Sequence, residues 1–231
     1  MPIDLTRIRA LCFDIDGTLS DTDDMFVLRL ASWLRPGSFI FRNRDPRLFA
    51  RWIVMRTESS GHFVYGLPDR LGFDHSLAHL GDLIYRMGLG RNVKPFLLIE
   101  QVKEMLQVLQ PCYPMAIVSA RGQRSTEAFL DQFELAPFFR CVATAQTCRY
   151  TKPYPDPILW AARQMGVRPA ECLMIGDTAN DIRAGRAAGA QTVGVLCGFG
   201  QEAELSRAGA DLIIPTTAYL AGVLLPPSQA D

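Results

Sequence analysis

The chain has no surplus of charge of either sign, since 24 Lys and Arg balance 24 Asp and Glu. With no basic excess to neutralise a phosphate backbone, nucleic acid is not an expected partner. No stretch approaches the roughly 18–20 continuous apolar residues of a membrane span, so no membrane partner is expected either. The first residues, Met1-Pro2-Ile3-Asp4-Leu5-Thr6-Arg7, lack the basic, then apolar, then small-residue order of a signal peptide. The expected location is therefore the cytoplasm. The six cysteines, at 12, 112, 141, 148, 172 and 197, form no C-x-x-C pair and no zinc-like spacing. They are expected to be reduced and structural, with Cys12, Cys141 and Cys172 acting as small hydrophobes in apolar runs. Histidine is scarce. His75 and His79 have the i, i+4 spacing that suits a metal, but no third ligand is evident, and they read as ordinary helix residues. No internal repeat or low-complexity run is present.

What is present is enough apolar matter for a full core: 231 residues, 48% of them hydrophobic, sufficient for one or two domains. Short apolar runs recur at Ala10–Phe13, Met115–Val118, Cys141–Thr144, Cys172–Ile175, Thr192–Leu196 and Leu212–Ile214. Segments of helical spacing lie between them, at Leu97–Leu109, Thr126–Phe133, Pro157–Met165, Asp181–Ala188 and Glu202–Ala208. Continuous rather than alternating apolar strands, separated by helices, predict a parallel sheet covered on both faces: a doubly wound α/β architecture. Asp156 and Pro157 suit a helix start, and Gly166 and Gly189 suit helix stops. From Asp21 to about Pro95 the strand–helix rhythm is missing. Amphipathic pieces at Met25–Leu34, Asp45–Arg56 and His75–Met87 predict a small helical insert there.

Two acids stand directly after the first apolar run, in Phe13-Asp14-Ile15-Asp16-Gly17-Thr18-Leu19. Strand period two puts Asp14 and Asp16 on one side with Ile15 opposite, and Gly17 lets the chain turn. In an open α/β sheet the ligand crevice lies at such carboxyl ends. Close like charges call for a hard divalent cation with oxygen ligands. Taken alone, the pair also suits turn-forming, capping aspartates. A second strand end, Met174-Ile175-Gly176-Asp177-Thr178-Ala179-Asn180-Asp181, presents further acids, and acids from two strand ends are what a magnesium site needs. Ser119 follows Ile117-Val118, and Lys152 precedes a helix in Tyr150-Thr151-Lys152-Pro153. Together they offer a hydrogen-bond donor and a positive charge, which a phosphoryl group requires. Singly, each suits a turn residue or a solvated lysine. Gly194-Val195-Leu196-Cys197-Gly198-Phe199-Gly200 does not match G-x-G-x-x-G, and reads as a strand-exit loop.

These four segments, in this order, resemble the four motifs of the haloacid dehalogenase-like hydrolase superfamily, in its phosphoglycolate-phosphatase-like branch. Asp14-Ile15-Asp16-Gly17-Thr18 resembles the first motif, Ser119 the second, Lys152-Pro153 the third and Gly176–Asp181 the fourth. The resemblance implies a Rossmann-like catalytic core over residues 1–20 and 96–231, with a helical cap over 21–95 inserted after the first motif. It implies a phosphatase for a small phosphorylated metabolite, working through an aspartyl-phosphate with Mg2+ as cofactor. Asp14 would be the nucleophile and Asp16 the acid and then the base. Magnesium would bind the Asp14 and Asp177 carboxylates and the Asp16 carbonyl, with Asp181 supporting the metal or Lys152. Ser119 and Lys152 would grip the phosphoryl oxygens, and Thr18, Ala120 and Arg121 would contact substrate. Ala120-Arg121 departs from the family, whose members often carry Asn after the Ser or Thr. An acid at Asp16 suits a phosphatase rather than a dehalogenase, because halide leaves without a proton.

Arg42, Arg44, Arg47, Arg51 and Arg56 crowd the insert. Arg47 and Arg51 share a helix face, which reads as a solvated surface or as a clamp for an anionic substrate, with Arg47 its substrate-binding candidate. A phosphomutase with the same motifs and a catalytically silent binding protein of the same fold remain as alternatives, and the chain is expected as a monomer or homodimer.

Overall fold

Apolar runs too short for helices pair into strands. In the computed structural model, which describes residues 3–21 and 96–225, these are β1 (Ala10–Phe13), β2 (Met115–Val118), β3 (Cys141–Ala143), β4 (Cys172–Gly176), β5 (Gln191–Val195) and β6 (Leu212–Ile214). All pair in parallel, in the order β3-β2-β1-β4-β5-β6. The helices are α1 (Val102–Leu109), α2 (Gln123–Gln132), α3 (Asp156–Met165), α4 (Ala179–Ala188), α5 (Glu202–Ala208) and α6 (Leu220–Leu224). This is the expected α/β architecture. No described helix is long and apolar enough to cross a membrane.

Because side chains alternate along a strand, the sheet has two unlike faces. Leu11, Phe13, Met115, Ile117, Leu173 and Ile175 point to one, where Leu106 and Leu109 of α1, Phe129 of α2 and Leu220 of α6 cover them. Ala10, Cys12, Ala116, Cys172 and Met174 point to the other, against Ile158, Ala161 and Ala162 of α3 and Ala184 of α4. Small residues let α3 and α4 approach closely. A Cβ on Gly185 of α4 would press into Thr192 and Met174.

Several boundaries differ from expectation. Leu97–Leu109 is helical only from Val102, because the residues before it bond elsewhere. The Asp21 N–H donates to the Leu97 carbonyl at 2.9 Å, and the Ile99 N–H to the Leu19 carbonyl at 3.0 Å. Thus 19–21 and 97–99 lie side by side. α2 begins three residues early, after Gly122. Asp156 is the first helical residue of α3, capped by Pro155 without a side-chain bond. Gly166 and Gly189 end α3 and α4 in the left-handed region, as read. The helical cap at 21–95 falls, after Asp21, outside the described residues, as do His75, His79 and the arginine cluster.

Candidate active site

The chain builds β1, β2 and β3 outward, then returns to lay β4 against the other side of β1. That reversal opens a crevice at the carboxyl ends of β1 and β4. The Asp14 N–H donates to the Ile175 carbonyl at 3.0 Å, extending the β1–β4 ladder by one residue. The main chain of the first acid is thereby fixed on the sheet. Ile15, opposite, is fully buried in the core. Gly17, at φ 69°, turns the chain where a side chain would be strained and would also strike Asp177.

Lys152 ties two acids together. Its Nζ lies 2.7 Å from Asp14 Oδ1 and 2.6 Å from Asp181 Oδ1, with all three side chains buried. Asp181 is held from its own helix. Its Oδ2 accepts from the Thr178 N–H at 3.0 Å and the Thr178 hydroxyl at 2.6 Å, which forms a capping box at the start of α4. Asp181 is thus fixed by one oxygen to its own helix and ion-paired to Lys152 by the other. Asp177, fully buried, accepts from the Phe199 N–H through Oδ2 at 2.8 Å, while its Oδ1 has no hydrogen-bond partner among the described residues.

Oxygens of Asp14, Asp177 and Asp181 come within 4.8 Å of one another. Three buried carboxylates against one ammonium leave two uncompensated negative charges, a costly burial. Burial pushes Asp14 up to about 7, with Asp181 and Asp16 adding and Lys152 opposing. Burial also pushes Asp177 well above the usual carboxylate range, helped by Asp181 and Asp14 and opposed by the Phe199 N–H. Burial pulls Lys152 down, but Asp14 and Asp181 outweigh it, and its net shift is upward. An all-oxygen donor set, a charge deficit of two and an unpartnered Asp177 oxygen fit a hard divalent cation.

Arg121 makes a contact that the sequence did not point to. Its guanidinium grips both oxygens of Asp16, Nε to Oδ2 at 2.6 Å and Nη2 to Oδ1. It lies over the rings of Phe96 and Phe129, 5.1 and 5.7 Å from their centroids. The Arg121 N–H donates to Ser119 Oγ at 3.2 Å. Ser119 is buried, which leaves its hydroxyl proton to donate elsewhere. Thr18 is buried beneath the turn, its carbonyl accepting from the Thr217 hydroxyl at 2.6 Å and its own Oγ1 without a partner among the described residues. Ala120 is exposed beside Ser119. Arg47 lies outside the described residues.

The sequence reading missed the backbone donor at Phe199 and the glycines beside it. The Gly-x-Gly spacing at 198 and 200 was their only signal.

The family model for haloacid dehalogenase-like hydrolases matches residues 79–195, just over half of the chain. Phosphoglycolate phosphatase of Pectobacterium atrosepticum is 29% identical, with 88% of each chain covered. Pyrophosphatase PpaX of Bacillus pumilus is 26% identical over 95% of this chain and 97% of its own. Among solved structures, a HAD family hydrolase from Deinococcus radiodurans, with bound phosphate and sodium, superposes with a TM-score of 0.69. It is 25% identical and covers 94% of this chain and 95% of its own. With acids from two neighbouring strand ends meeting at a buried lysine, and with these likenesses across most of its length, the chain belongs to the haloacid dehalogenase-like hydrolases, in their phosphoglycolate-phosphatase-like branch.

Proposed function

We propose that this chain is a magnesium-dependent phosphatase that hydrolyses a small phosphorylated metabolite through a phosphoryl group carried on Asp14. The observation that carries the reading is the meeting of the buried carboxylates of Asp14, Asp177 and Asp181 within 4.8 Å, with Lys152 paired to the first and the third.

Asp14 attacks phosphorus, the bond to the leaving oxygen breaks, and that oxygen takes a proton from Asp16. Asp16, now a carboxylate, takes a proton from water. The hydroxide attacks the phosphoryl group, the Asp14–phosphorus bond breaks, and inorganic phosphate leaves. Lys152 and the Ser119 hydroxyl meet the equatorial oxygens as charge spreads over them. Asp181 keeps Lys152 oriented. Each proton transfer requires one Asp16 oxygen to be released from Arg121. The Asp14 and Asp177 carboxylates with the Asp16 carbonyl would hold Mg2+, whose charge offsets the repulsion between a carboxylate nucleophile and a phosphate dianion.

The names of the relatives, a phosphoglycolate phosphatase and a pyrophosphatase, support a small phosphorylated substrate. Phosphoglycolate and pyrophosphate are the first two to assay. Substrate contacts from Thr18, Ala120 and Arg47, a helical cap over 21–95, a cytoplasmic location and a monomer or homodimer belong to the same reading.

Asp14→Asn tests it. The variant is expected to keep its fold by circular dichroism, to lose phosphate release from p-nitrophenyl phosphate, and to show no phosphoryl adduct after acid quench. Appreciable turnover by the folded variant would remove Asp14 as nucleophile.

A further inference from the structure

Asp177 sits at the end of β4 with its two oxygens in unlike situations. Oδ2 accepts the Phe199 N–H at 2.8 Å, and Oδ1 is buried with no hydrogen-bond partner among the described residues. A carboxylate on a single Cβ can swing about two torsions, so tying one oxygen aims the other. The tie comes from the strand-exit loop after β5, and that loop is seated with almost no free space. A Cβ on Gly198 would overlap Asp177 Oδ2 and the main chain of Gly17, and one on Gly200 would overlap the main-chain oxygen of Asp177. The loop is also fastened from below. Cys197 Sγ donates to the Gly17 carbonyl at 3.4 Å, and the Leu196 N–H to the Ile214 carbonyl at 3.1 Å. Gly17 lies against the same carboxylate, since a Cβ there would also overlap Asp177 Oδ2.

We propose that the Cys197–Gly200 loop is the positioning element of the metal site: its Phe199 N–H and its two glycines set the direction of Asp177 and thereby the affinity for the divalent cation. This rests on Asp177 being a metal ligand. Groups that orient metal ligands typically contribute about 10- to 100-fold in affinity. The contribution here is made by a backbone donor, so the identity of the side chain at 199 is secondary.

The test is direct Mg2+ binding by calorimetry, and Mn2+ binding by electron paramagnetic resonance, on the full chain. Phe199→Pro removes the donor, and Gly198→Ala forces the loop away from the carboxylate. Both are expected to raise the Mg2+ Kd by about 10- to 100-fold, with turnover recovered at high Mg2+. Phe199→Ala, which keeps the N–H, is expected to bind within about threefold of the parent chain on the same argument. Folding is followed by thermal melting, and Gly198→Ala decides the question if Phe199→Pro does not fold. Parent-like Mg2+ affinity in both Phe199→Pro and Gly198→Ala, with loss in Asp177→Asn, overturns the inference alone. Parent-like affinity in Asp177→Asn overturns the reading of Asp177 as a ligand, and the inference with it.

Discussion

Arg121 binds the side chain on which both proton transfers depend. A bidentate guanidinium fixes the plane of a carboxylate as well as its distance, which a lysine ammonium does not. Phe96 and Phe129 pack their rings around that guanidinium, 5.1 and 5.7 Å from its carbon to their centroids. Arg121→Lys is therefore expected to lower kcat on an alkyl phosphate about tenfold, part of the general acid–base contribution. The pre-steady-state burst of p-nitrophenol from p-nitrophenyl phosphate, whose leaving group departs without a proton, should change far less, because only the later attack of water needs Asp16 there. Parallel assays of the two substrates check this, and equal losses on both would assign Arg121 to packing alone. Asp14, Asp177, Asp181 and Lys152 were legible as candidates because each follows a strand, precedes a helix or stands in a helix's first turn, where side chains of a parallel sheet converge. The Arg121–Asp16 pair was not legible, because it joins positions 105 residues apart and nothing local at either end requires it. Asp177's backbone partner was hidden for a related reason, since a donor N–H leaves no mark on residue identity.

At the level of elements, strands and helices followed their apolar patterns to within a few residues, and the misses have physical causes. The spacing of Leu97–Leu109 promised a helix throughout, but the first residues bond to Leu19 and Asp21 instead. Asp156 looked like a cap, but the prolines around it set the turn without a side-chain bond. The small-residue face is the element-level feature with a measurable consequence. Cys12 and Cys172 are sealed in it, Cys141 lies at its edge, and Cys112 is exposed in the α1–β2 connection. Burial, then the neighbouring Cys172, push the Cys141 thiol up to about 11. Its folded pKa exceeds the ordinary thiol value of 9.0, so folding holds a proton that the unfolded chain gives up. The stability it contributes is intact below about pH 9 and declines as pH rises through about 11. Melting temperatures across alkaline pH should fall in that window, less steeply in Cys141→Ala. Iodoacetamide at pH 8 should label Cys112 before Cys12, Cys141 or Cys172.

For the whole molecule, the site is a source of instability when no cation is bound, since three buried carboxyls share one ammonium and the surplus must be carried as buried charge or neutralised by protons. A cation that binds only the folded state adds about 2.7 kcal/mol at one hundred times its Kd. For a chain of this size that corresponds to a rise of roughly 5–10 °C in melting temperature. Differential scanning with Mg2+ and with a chelator measures it, and an identical midpoint in both would contradict the metal reading. Parallel topology and both covering layers were foreseen from continuous apolar runs, because only a sheet shielded on both sides hides such runs. The order of the strands was not, since it depends on which edges meet after the chain has crossed over.

The junction at Leu19–Asp21 and Leu97–Ile99 bears on how such molecules diversify. Because these two short segments are hydrogen-bonded neighbours, whatever is spliced between them need only start and finish a few ångströms apart. Its length, origin and shape place no tension on the six-stranded platform. On the proposed reading of 21–95 as a cap, bond-breaking machinery and the choice of molecule to be broken are separable inheritances, and a new specificity arrives by exchanging one cassette while the chemistry beneath it stays as it was.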